Sequence, residues 1–182
     1  MSSVRLRELT ALDVPIVNAW RQDREITDNL VGAFRYCNLE ADEEWFGRYM
    51  RARDCNVRLG IVLTEEERLI GVTYLLGIDW IHRTAELGTL IGDKTLWGKG
   101  YGSMAERMSL EHAFMDLNLN RVFARIISSN VRAMKAAEKG GFVKEGIQRQ
   151  HVFKNGRYED LVMMGITRAE FLSLHGPGLK DD

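Results

Sequence analysis

The segment from Thr95 to Glu106 reads TLWGKGYGSMAE, placing Gly98, Gly100 and Gly102 at alternate positions where a run of helix-forming residues begins. A glycine in a helical turn costs about 1 kcal/mol relative to alanine, so three together call for a use. A glycine-rich turn feeding a helix N-terminus makes an anion site. The first amides lack helical acceptors, the dipole is positive there, and absent Cβ atoms let a phosphate reach the backbone. Two familiar versions fit poorly. The GxxxxGK loop followed by Ser or Thr is absent, and the dinucleotide fingerprint GxGxxG is replaced by GxGxG after antiparallel hairpins. The competing reading is a flexible loop with no ligand.

The elements that must position this turn follow from periodicity. Val4–Leu9 alternates as a strand, and Thr10 with Asp13 resembles a capping box opening a helix whose stripe is Leu12, Ile16, Ala19 and Trp20. A polar, irregular stretch spans Gln22 to Asn38. A second helix is expected over Leu39–Arg51, with Glu40, Asp42, Glu43 and Glu44 in its first turns. From Asn56 the period changes to two, giving strands at Val57–Leu63, Leu69–Trp80 and Thr84–Ile91, joined as antiparallel hairpins. The glycine stretch then opens a helix to about Leu117. A strand at Arg121–Ile127, a short helix at Asn130–Lys139 and a strand at Phe142–Phe153 follow. Asn155-Gly156 signals a hairpin into Tyr158–Ile166. Tyr101, Met104, Ala105 and Met108 face one side of the glycine-led helix, whereas Leu110, Ala113, Phe114 and Leu117 face nearly the opposite side. That pattern predicts a helix covered on both sides.

Two prolines and no low-complexity linker leave the chain reading as one α+β domain over residues 1–182. A hydrophobic fraction of 45% suits a packed core, and a net charge of −1 offers no field for nucleic acid or an anionic membrane. No segment approaches the ~20 apolar residues of a membrane span, and the first residues lack a signal core. Cys37 and Cys55 lack metal or redox spacing and read as two thiols rather than a disulfide. These features predict a cytoplasmic protein with no metal.

WGKGYG resembles the acetyl-CoA motif of the GNAT acetyltransferase superfamily, Gln or Arg, two residues, Gly, one residue, then Gly or Ala. Gly100 and Gly102 fill it, while Trp97 stands where Gln or Arg is usual. That departure is frequent in the branch of ribosomal-protein N-terminal and small-amine acetyltransferases. SSNVRAMKAAEKGGFVKEG is similar to the family's second cofactor segment, and NGRYEDLVMMGITRAEF to the branch's last hairpin. The resemblance covers nearly the whole chain. It implies a mixed sheet of about seven strands, antiparallel in its N-terminal half, splayed at a cofactor cleft and flanked by about four helices.

The resemblance further implies pyrophosphate on the backbone amides between Gly98 and Ser103, that is Gly98, Lys99, Gly100, Tyr101, Gly102 and Ser103, with Trp97 beside the cofactor. Pantetheine would pair with the strand edge at Leu90, Ile91 and Gly92, and Asn130, Ala133 and Lys135 would meet the cofactor from the opposite side. Asn130 also reads as the N-cap of its helix. The implied reaction is direct attack of an amine on the acetyl thioester, with a backbone amide at or near Ile91 as oxyanion donor. Glu86, in an otherwise apolar strand, is the first choice of base; an exposed carboxylate or an ion pair with Arg83 or Arg125 is the competing reading. Asp79, His82 and His151 are weaker alternatives. Many relatives carry a general-acid tyrosine where this chain has Ala137, so acid help falls to water, the bare thiolate or Ser128. The acceptor, a small amine, amino-sugar or protein N-terminus, would lie between Thr27–Tyr36 and His151–Tyr158. Glu40–Glu44 either attracts a polyamine or complements a helix dipole. A homodimer is compatible with this reading. A CoA-binding sensor or interaction module that has lost catalysis is the alternative.

Overall fold

Alternating apolar residues and paired turns build a seven-stranded sheet in the computed structural model, which describes residues 3–176. The strands are β1 (Val4–Glu8), β2 (Asn56–Leu63), β3 (Arg68–Asp79), β4 (Thr84–Ile91), β5 (Arg121–Ile127), β6 (Val143–Lys154) and β7 (Arg157–Thr167). Their order is β1-β2-β3-β4-β5-β7-β6. All neighbours are antiparallel except β4 and β5, which pair in parallel only from Thr84–Glu86 to Arg121–Phe123. Beyond Glu86 the two strands part. Leu87–Ile91 on one arm and Ala124–Ile127 on the other bound the expected cleft.

The helices are α1 (Val14–Gln22), α2 (Arg24–Thr27), α3 (Leu39–Arg51), α4 (Tyr101–Glu111), α5 (Val131–Lys139) and α6 (Arg168–His175). Six rather than four flank the sheet. The short α2 lies inside the stretch read as irregular, where the Asp23 side chain caps Glu25 N at 2.9 Å. The missed α6 starts at a capping box of Thr167 and Glu170, a signal present in the sequence but masked by the apolar run of β7. The helix opened by the glycines continues as a π-turn over His112–Asp116.

One face of the sheet carries α1 and α3, packed through Val14, Phe46 and Tyr49 onto Val62, Val72 and Leu90. The other face carries α4 and α6. Phe114 and Phe171 are fully buried with ring centroids 5.3 Å apart, each contributing about 1.5–3 kcal/mol by burial. The two stripes of α4 are successive zones rather than opposite walls. Its first half packs Ala105 and Met108 onto Ile61 and Ile70, and Leu110, Ala113 and Phe114 enter the core of β5 and α6. Ser103 and Arg107 remain exposed, so α4 crosses the sheet instead of being enclosed. Asp42, one of the four early carboxylates of α3, is buried and bonded to Arg21 and Asn18, which makes it structural.

Candidate active site

Two of the three glycines are required by backbone geometry. Gly98 and Gly100 have φ of 76° and 88°, and Gly100 caps α4 from the left-handed region. The first helical bond runs from Met104 N to Gly100 O at 3.0 Å. The amides of Tyr101, Gly102 and Ser103 have no backbone acceptor among the described residues. A Cβ on Gly102 would meet only Ile91 Cγ1, at 3.7 Å. The third glycine is therefore not forced by protein packing; it keeps open the space before the free amides.

The cleft edge of β4 differs in detail from the expected one. Leu90 pairs with Val72, and Gly92 N donates to Ile70 O at 2.8 Å, so both turn their hydrogen-bonding groups toward β3. By antiparallel alternation Ile91 and Thr89 turn theirs to the cleft. Of Leu90, Ile91 and Gly92, only Ile91 offers a ligand its amide, and its carbonyl already accepts Trp97 Nε1 at 2.7 Å. Gly92 has another cause, since a Cβ there would fall 2.0 Å from the Trp20 ring. Trp97 thus replaces a polar contact to the cofactor with a brace between the glycine loop and β4.

Across the cleft, Asn130 spends its side chain within the protein: its oxygen accepts Ala133 N at 3.1 Å and its nitrogen donates to Asn29 O at 3.2 Å. The N-cap reading describes this side chain in the structure. Ala133 is half-buried and Lys135 exposed on α5. Sequence reasoning passed over Arg132, whose guanidinium lies 4.4 Å from the Trp97 ring centroid and joins α5 to the glycine loop. It also passed over Glu106, on α4 one turn, about 5.4 Å, from Gly102. Glu106 Oε1 is shut off from solvent without a partner among the described residues, where a Cβ on Gly140 would lie 2.6 Å away. Desolvation pushes this carboxyl up to about 7. Ala137 is buried in the core beside it and offers no acid.

Glu86 stands at the fork but is not free. Both its oxygens accept Arg125 nitrogens at 2.8 Å, a two-pronged pair that leaves no ready base. Asp79 accepts the amides of Ile81 and His82 at 2.9 and 2.8 Å, closing the β3–β4 turn, which holds its carboxyl below the usual range. His82 lies in that same exposed turn, and His151 is exposed on the edge strand β6. Ser128 follows β5 at the open end of the cleft, its amide donating to Asp160 O at 3.0 Å.

On the α1–α3 face a cavity of about 290 Å³ is lined by Asp42, Trp45, Arg58, Val72 and Tyr74, with Arg21 at its side. Val72 and Tyr74 pair with Leu90 and Gly88, which puts the cavity one strand spacing, about 4.8 Å, from the cleft strand. The loop after α2 packs on the last hairpin instead. Lys154 is buried and donates to Thr27 O at 3.0 Å and to Gly32 O, Asn155 donates to Asp28 at 3.0 Å, and Val31 packs on Ile127 and Leu161. Thr27–Tyr36 and the last hairpin are thus brought together, while His151 is left outside.

The unspent amides of Tyr101, Gly102 and Ser103 and the open Ile91 amide together fit a long, phosphate-ended thioester cofactor such as acetyl-CoA. Among the described residues there is no group of His, Cys, Asp and Glu that could hold a metal, and no helix long and apolar enough to cross a membrane. Residues 3–143 match the acetyltransferase (GNAT) domain family. The chain is 28% identical over 172 residues to the spermidine N(1)-acetyltransferase of Vibrio cholerae, covering 94% of this chain and 97% of that one. It is 28% identical over 177 residues to the Escherichia coli spermidine N(1)-acetyltransferase, covering 95% and 90%. The crystal structure of a Vibrio cholerae spermidine N-acetyltransferase with CoA and spermine superposes with a TM-score of 0.88 at 27% identity, covering 93% of this chain and 98% of that one. The forked sheet, its glycine-led helix and this match over most of its length place the chain in the GNAT acetyltransferase family, enzymes that move an acetyl group from acetyl-CoA to an amine.

Proposed function

We propose that the chain forms one acetyltransferase domain that moves the acetyl group directly to a primary amine entering over the α1–α3 face. The observation that carries this is the meeting of the free amides of Tyr101, Gly102 and Ser103 with the open β4 edge at Ile91. Acetyl-CoA supplies the activated acyl group and a thiolate leaving group. The α4 N-terminus holds the pyrophosphate, with Lys99, Arg132 and Lys135 adding positive charge around it. Ile91 N donates at the point where the strands part. Glu106, packed between α4 and the C-terminal end of α5, holds the two helices beside the cleft rather than meeting the cofactor. Glu86 serves as a strut for Arg125, and the amine loses its proton to water. Ser128, at the open end of the cleft, remains the side-chain donor in range of the α5 side.

A small amine rather than a protein N-terminus suits a cavity of about 290 Å³. Two free thiols support a cytoplasmic setting. Exposed Phe153 and Tyr158 on the last hairpin support a homodimer there. The committed Glu86 and the alanine at position 137 favour a second reading, a CoA-binding module without turnover. One experiment separates the two. Calorimetry of Gly102→Val should show acetyl-CoA binding weakened at least about tenfold, and thiol release by the unaltered protein with an amine panel should show turnover. Unchanged affinity in the variant would sink the cradle, and binding without turnover would favour the module.

A further inference from the structure

The cavity beneath α1 and α3 holds more positive charge than it can neutralise. Asp42 is taken by Arg21 at one oxygen, to which Cys37 Sγ also donates at 3.4 Å, with Asn18 Nδ2 on the other oxygen at 2.8 Å. Asp13 is taken by Arg7 through two bonds of 2.6 and 2.8 Å, with Thr10 N adding a third at 2.7 Å. Every carboxylate lining the cavity is therefore matched to an arginine. Arg58, which also lines it, is matched to none among the described residues.

Arg58 is fixed in place all the same. Its guanidinium carbon lies 4.9, 5.6 and 5.2 Å from the ring centroids of Trp45, Tyr49 and Tyr74, and its amide donates to Tyr49 Oη at 3.1 Å. Its Nε is buried without an acceptor among the described residues. Three aromatic faces attract a cation, but they offer its N–H groups no oxygen. Burial without a carboxylate pulls the guanidinium down from its ordinary pKa. A fork of donors held rigid at the wall of a cavity is suited to a planar oxyanion.

We propose that the acceptor amine carries an anionic group, a carboxylate or a phosphate, which docks on Arg58 and directs the amine toward the cleft strand. This rests on the acetyltransferase reading and narrows its substrate to amines bearing an oxyanion. A bare polyamine would bring several positive charges beside an unneutralised guanidinium, a like-charge contact that disfavours it. Arg58 on β2 faces Tyr74 on β3, which pairs with Gly88 on β4, so the anchor lies two strand spacings, about 9.6 Å, from the cleft strand, the distance the acceptor has to span.

The test compares matched amines by thiol release: amino acids against their carboxamides, amino-sugar phosphates against the free amino-sugars, and spermidine. Carboxylates or phosphates should exceed their uncharged counterparts in kcat/KM by at least about 10²-fold, as expected when a buried polar group is left unpaired by the wrong substrate. The matched pair showing the preference identifies carboxylate or phosphate as the source. Arg58→Gln should abolish that preference while leaving acetyl-CoA affinity within about threefold. Competition by the des-amino carboxylate or phosphate against the unaltered enzyme gives a reading that needs no folded variant. Equal rates for charged and uncharged partners, or spermidine as the best substrate, would overturn the anion site yet leave the acetyltransferase standing. Acetyl-CoA binding with no amine turned over would overturn both.

Discussion

Replacing Glu106 by glutamine removes a charge from a place that has nothing to offset it. The carboxyl sits between α4 and the C-terminal end of α5, Oε1 is sealed from solvent without a partner among the described residues, and desolvation raises it from 4.5 to about 7. Because the folded-state value is the higher one, its neutral form costs nothing below pH 4.5, and stability is lost as pH rises from there through 7. At about 1.4 kcal/mol per pH unit, the full penalty above pH 7 is about 3 kcal/mol. The residue as a whole is half-buried, so about 2 kcal/mol is the working figure after partial hydration. Denaturant titrations of the ligand-free protein and of Glu106→Gln at pH 5 and pH 8 give the comparison directly. The stability of the variant relative to the unaltered protein should rise by about 2 kcal/mol between the two pH values. A difference that stays flat with pH would mean the carboxylate is solvated or paired in the folded state.

Three further outcomes follow from other contacts. Arg132→Ala removes both the stacking on Trp97 and a cation at the cleft mouth, so acetyl-CoA affinity should fall about three- to tenfold, more at low salt; an equal affinity at all ionic strengths would count against it. Glu86→Gln should leave the pH profile of turnover unshifted yet lower stability by about 1–2 kcal/mol through the stranded Arg125; a 10²-fold loss at neutral pH, recovering with alkali, would restore Glu86 as base. Lys154→Met should cost about 1–3 kcal/mol, since two loop carbonyls lose their donor. Burial lowers the pKa of Lys154, so the advantage of the unaltered protein should grow as pH rises toward 10.5. A constant difference, measured by denaturation, would show a lysine hydrated in the folded state.

The strands and the long helices were legible because each carries its own signal within a few residues. Leu39–Arg51 has an asparagine cap, acidic first turns and basic last turns, and it forms over that span. Asn155-Gly156 fixes the last hairpin. The fork was legible by resemblance, through glycines whose spacing demands positive φ at two positions and open space at a third. What failed locally failed through masking. The capping box at Thr167 is hidden by the apolar run that precedes it, and α2 is too short for periodicity to register.

The charged residues failed for a different reason. Glu86 and Arg58 each look like a polar residue among apolar strand neighbours, while Asp42 and Glu106 look like ordinary polar positions on a helix. Their roles depend on which opposite charge the fold brings within about 4 Å, and that is decided by strand register and helix placement far along the chain. Glu86 meets Arg125 because β4 and β5 run in parallel from Thr84 and Arg121. Arg58 sits opposite Tyr74 in the β2–β3 register, and α3 lays Trp45 and Tyr49 over it, so three rings arrive and no carboxylate does. A shift of one residue in that register would turn Arg58 to the other face. The unpaired charge is thus a product of the register and of the helix above it.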